Sequence, residues 1–100
     1  MEESLSLDMM AIETISKLAS EIDILSRQAA HIYTPLVEDI LSTCSRDKIR
    51  IEHTLDGLLS FCGFDPALEL YRRLCRYYWD IDPAATAFYV NAYRMTWDSD

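Results

Sequence analysis

The sequence predicts an all-α fold, four to five helices in a small orthogonal or irregular bundle with a long N-terminal helix. Three observations carry this expectation. Apolar residues recur at steps of three and four through most of the chain, the spacing of one helix face. All three prolines follow a residue that caps helices well, in Thr34-Pro35, Asp65-Pro66 and Asp82-Pro83. Proline has its φ fixed near the helical value and no N–H to lose, so it suits a first helical turn. Only two glycines, Gly57 and Gly63, accompany them, so little of the chain is built for turns.

The first helix is expected over about 7–33. Ala11, Ile15, Leu18, Ile22, Leu25, Ala29 and Ile32 form a seam of period 3.5, and polar residues such as Glu13, Lys17, Glu21, Asp23 and Arg27 fill the other positions. At ~1.5 Å per residue this helix would be about 40 Å long, more than a compact 100-residue domain needs for its own core. Part of the seam is therefore expected to meet another chain, with Ile15, Leu18, Ile22 and Leu25 at a homodimer contact.

Thr34-Pro35 either kinks that helix or opens a second over about 35–44, whose apolar face is Leu36, Val37, Ile40, Leu41 and Cys44. A further helix over about 46–62 presents Ile51, Leu55, Leu58, Leu59 and Cys62. Gly63 is placed to end it in the left-handed conformation, and Gly57 inside it suggests close approach to a neighbouring backbone. Asp65 is expected to cap a helix over about 66–79 that buries Leu68, Tyr71, Leu74 or Cys75, and Tyr78. The short link Asp80-Ile81-Asp82 leads to a last helix over about 83–97, with Ala84, Ala87, Phe88, Asn91 or Ala92, and Met95 facing inward.

One hundred residues, half of them hydrophobic, suit a single domain spanning 1–100 with one core. No apolar run reaches the ~18 residues of a membrane span, and the acidic start Met1-Glu2-Glu3-Ser4 is unlike a secretory signal, so no membrane association and a cytoplasmic location are expected. Cys44, Cys62 and Cys75 make an odd count without a CxxC pair, which reads as three buried free thiols in a reducing compartment.

The net charge of −8 is concentrated at the ends: residues 1–44 carry eight acids and two bases, residues 45–76 five acids and six bases, residues 77–100 four acids and one base. This field repels phosphate, so direct nucleic-acid binding is not expected. The clusters Arg46, Lys48, Arg50 and Arg72, Arg73, Arg76 read as solvated faces that neutralise the acidic ends. A helix-turn-helix over 35–55 lacks a turn glycine and places Glu52 and Asp56 where DNA would require bases.

Nothing in the chain carries catalytic chemistry: there is no HExxH, and Glu52 and His53, adjacent on a helix, point about 100° apart. His31 reads as an interface residue. Two glycines cannot form a phosphate-cradling loop. The expectation is a non-enzymatic protein with no cofactor and no metal.

Aromatics are the stronger hint. Ten of the eleven lie after residue 60, and Tyr77-Tyr78-Trp79 span about 200° of helix arc, too wide for one core. Tyr77, Trp79, Tyr89, Tyr93 and Trp97 are therefore candidates for a protein-binding surface. The expected function is a protein-binding adaptor, regulator or inhibitor with an unidentified protein partner. Its composition suits the accessory proteins of phages, plasmids and other mobile elements. The alternative is an acidic nucleic-acid mimic acting through Glu2, Glu3, Asp8, Glu13, Glu21, Asp23, Glu38 and Asp39.

Overall fold

The computed structural model describes residues 2–98, with side chains from residue 11 onward. Four helices make up the described chain: α1 (Glu2–Ser42), α2 (Lys48–Leu59), α3 (Asp65–Trp79) and α4 (Pro83–Trp97). The molecule measures 62 × 28 × 18 Å, its long dimension matching the ~60 Å that 41 helical residues occupy.

Pro35 lies inside α1 and does not end it, so the separate helix over 35–44 is corrected to the last turns of a single helix. An interior proline removes one backbone bond and costs about 3 kcal/mol. Val37 and Ile40, both fully buried just beyond it, supply apolar burial that offsets this. Thr34 caps nothing; its hydroxyl donates to the carbonyl of Ala30 at 2.6 Å.

α1 ends in a double hydrogen-bonded cap: Ser45 N–H donates to Ile40 O and Cys44 N–H to Leu41 O. This pattern requires a left-handed residue, usually glycine. Here Cys44 adopts it, at φ 52°, whereas Gly63 does not have a positive φ.

The Asp47 side chain accepts from Arg50 N–H and caps α2. Asp82 does the same for α4 through Ala85 N–H. Asp65 is itself the first residue of α3, after an extended Phe64 that makes no side-chain cap.

The core gathers Val37 and Ile40 from α1, Ile51, Leu55 and Leu58 from α2, and Ala67, Leu70, Tyr71, Leu74, Cys75 and Tyr78 from α3. Leu68 is only half-buried there. α3 is the central helix, touching each of the others, and among the described residues the backbones of α1 and α4 do not approach closely.

The expected inner face of α4 is overturned. Ala84, Ala87, Phe88 and Met95 point outward, and the buried side is Thr86 and Tyr89, with Ala85 and Tyr93 packed beside them. Two contacts fix this phase: the Tyr71 hydroxyl donates to Tyr89 O at 2.5 Å, and the Tyr71 and Tyr93 rings lie 6.2 Å apart.

Candidate protein-interaction surface

On α1 the sequence writes one apolar face longer than the bundle beneath it. Ser26, Ala29, Ala30, Val37 and Ile40 are buried, and Tyr33 and Leu41 pack against the core. Stepping N-terminally by three and four from Ser26 gives Ile22, Ala19, Ile15 and Ile12, so the same face continues past the end of the bundle. There its large side chains stand open to solvent. Ile12, Ile15, Leu18, Ile22 and Leu25 are each between 53% and 66% exposed. The four residues expected at a dimer seam all lie on this overhang.

The overhang meets the bundle at a corner. A cleft of about 420 Å³ lies there, lined on one side by Ala19, Ile22 and Leu25 and on the other by Phe61, Phe64 and Trp97. Trp97 is held in place from behind: its Nε1 donates to Leu59 O at 2.7 Å, and its ring sits where a Cβ on Gly63 would come within 2.8 Å. Gly63 is thus needed for ring contact and not for turn geometry.

The expected aromatic surface does not assemble as one patch. Tyr89 is core and is withdrawn as an interface residue. Tyr77 is half-buried, its hydroxyl donating to Ser45 O at 2.7 Å, and Tyr93 is half-buried against Tyr71. Trp79 and Trp97 are exposed, but Trp79 borders a different hollow, with Arg76, Asp80 and Val90. Phe88 and Met95, exposed on α4, were missed because the helix period was assigned the opposite phase.

Four ion pairs form among the described residues. Arg50 pairs with Asp39, Arg73 with Glu38 and Lys48 with Asp82, each between elements, and Arg27 pairs with Asp23 along α1. The Arg73 guanidinium holds the Glu38 carboxyl below its usual range. The Ala85 N–H and then Lys48 do the same for Asp82.

Burial pushes the Cys62 thiol up to about 12 and the Cys75 thiol to about 11. Both are therefore inert as nucleophiles. Cys44 is exposed, correcting the expectation of three buried thiols. His31 and His53 are exposed, and among the described residues no group of three His, Cys, Asp or Glu side chains converges as metal ligands do. No described helix is long and apolar enough to cross a membrane.

No family model, curated protein or solved structure matches this chain.

Proposed function

We propose that this is a non-enzymatic protein that works by protein–protein association, as an adaptor, regulator or inhibitor, in a reducing compartment such as the cytoplasm. The observation that carries the reading is the overhang of α1: five large aliphatic residues on one face, left in water beside an apolar cleft. Contiguous apolar surface of this kind marks interaction sites on monomers.

Mimicry of nucleic acid has less support. It needs a field of free carboxylates, and Asp23, Glu38 and Asp39 are each neutralised by an arginine of the same chain. Of the other five candidates, Glu2, Glu3 and Asp8 have side chains outside the described residues.

The test is a paired capture from nuclease-treated host lysate at low and moderate salt, comparing the wild type with the Ile15→Asp, Leu18→Asp double variant. The reading expects a salt-tolerant protein associate, a second copy included, that the variant loses. Capture that the variant retains, or that disappears at moderate salt, overturns it.

A further inference from the structure

Resting on the reading of the overhang as an association surface, we propose that its occupant is a second copy of this chain. The two copies dock antiparallel about a two-fold axis through the overhang, the Ile12 end of each directed toward the other's Trp97 cleft.

The argument begins with helix phase. Ile12, Ile15, Ala19 and Ile22 lie on the side of α1 that carries Ser26, Ala29, Ala30, Val37 and Ile40 against the bundle. Any occupant of the overhang therefore lies on the bundle's side of α1, end to end with the bundle. Ile22 and Leu25 on one wall of the cleft and Phe61, Phe64 and Trp97 on the other mark the corner where the two meet.

Orientation follows from bulk. Ile15 and Ile22 at a positions with Leu18 and Leu25 at d positions suit a two-stranded pair. A parallel pair, however, must bring two α1 axes to 8–10 Å along this face. The Ser26–Ile40 part of this face is already covered by the bundle, which makes the molecule 28 Å across where a single helix is only about 10–12 Å wide. In a parallel pair both bundles would occupy the space between the helices. Antiparallel, the bundles go to opposite ends and the overhangs meet unobstructed. The contact is isologous and closes at two copies.

The area is adequate. Five side chains 53% to 66% exposed present on the order of 500 Å² of apolar surface, at the upper end of single patches on monomers. Taken from both copies, and extended by Phe61, Phe64 and Trp97 in each cleft, this passes the ~1,000 Å² expected of a specific interface.

The exposed thiol of Cys44 lies just beyond the far end of α1, and Cys62 and Cys75 are buried, so Cys44 takes a spin label in the native protein. In the antiparallel pair the two labels are roughly 70–85 Å apart, whereas in a parallel pair they fall within about 40 Å. The experiment combines this distance with mass by sedimentation equilibrium at micromolar concentration. The wild type is expected at twice 11.6 kDa, with the long distance. Ile15→Asp is expected to raise the dissociation constant roughly 100-fold. Met95→Asp, on the equally exposed outer face of α4, should change it by no more than about threefold. The distance is read on the wild type, so it does not depend on how either variant folds.

A dimer with labels within about 40 Å overturns the proposal, as does a dimer broken by Met95→Asp and not by Ile15→Asp. A monomeric wild type overturns it as well. If that monomer still captures a protein that the Ile15→Asp, Leu18→Asp variant loses, only the second copy is refuted and the association reading stands; capture indifferent to the variant removes both.

Discussion

The ring of Tyr33 on α1 occupies the space that a side chain at Gly57 on α2 would need. A Cβ built on Gly57 would meet the Tyr33 hydroxyl and come 2.6 Å from the ring carbon that bears it. The glycine therefore costs α2 helix propensity so that α1 and α2 can close on a phenol, and not on a neighbouring backbone as the sequence suggested. Gly57→Ala gains about 1 kcal/mol of propensity but forces the ring to move, and overpacking costs about 1–3 kcal/mol. A net loss of about 1 kcal/mol is expected. In a Tyr33→Ala background the same substitution should be neutral or stabilising. A double-mutant cycle in urea measures that coupling; equal effects in both backgrounds would remove the Tyr33 contact as the cause.

Cys44 holds the left-handed position that ends α1, a conformation that costs a non-glycine residue roughly 1–2 kcal/mol. Cys44→Gly is therefore expected to raise the melting temperature. The gain is partly reduced by the entropy that glycine adds to the unfolded chain. Thermal melts of the variant against wild type, in reductant, are the check, and an unchanged or lower value counts against the cap.

The Tyr78 hydroxyl donates to the Glu52 carboxylate, joining the core face of α3 to α2. Tyr78 is fully buried, so Tyr78→Phe removes a charge-assisted bond without leaving a cavity and should cost about 1.5 kcal/mol. The loss should appear as a lower urea midpoint with an unchanged slope. Glu52→Gln keeps an acceptor for the hydroxyl and should cost less than Glu52→Ala.

Asp82 has two duties, accepting from Ala85 N–H at the start of α4 and pairing with Lys48 at 3.2 Å. Asparagine caps as well as aspartate but cannot pair with lysine. The expected order of melting temperatures is Asp82, then Asp82→Asn, then Asp82→Ala, with the second gap the larger because exposed ion pairs contribute little. The depressed carboxyls of Asp82 and Glu38 contribute stability above the unfolded carboxylate pKa, and that part fades as pH falls through their folded values.

At the other end of the pH scale, burial raises the Tyr71, Tyr78 and Tyr89 phenols and the Cys62 and Cys75 thiols. An acid whose folded pKa lies above its unfolded value stabilises fully below the unfolded value, and that stability is lost as pH rises, because the unfolded chain releases the proton first. For phenols the loss begins near pH ~10. The part of the tyrosinate absorbance that comes from Tyr71, Tyr78 and Tyr89 is expected to appear together with the loss of helical circular dichroism, in one alkaline transition. Below it a thiol reagent should modify Cys44 alone. Early titration of all the tyrosines with the helices intact would contradict the burial.

The four helices, the Asp82 cap and the surplus length of α1 were legible in the sequence because each rests on local spacing or on a residue's own conformational limits. The expected seam of α1, by contrast, drifts from the buried face, leaving Ile32 60% exposed and burying Ser26 and Ala30. Propensity also offered a break at Thr34-Pro35 and a left-handed end at Gly63. Both were reversed by contacts made at a distance: Val37 and Ile40 against the core carry α1 through the proline, and the Trp97 ring claims the space at Gly63. The phase of α4 was not legible either. Its sequence carries two faces that could go inward, one with Phe88 and Met95 and one with Thr86, Tyr89 and Tyr93, and periodicity is blind to the choice. Tyr71 on α3 decides it through its hydrogen bond to the Tyr89 carbonyl and its contact with the Tyr93 ring, which only the fourth helix in place could provide. Sequence thus determined which segments are helical and that α1 outruns its core; tertiary packing decided which faces are spent inside and left the Ile12–Leu25 overhang beside Trp97.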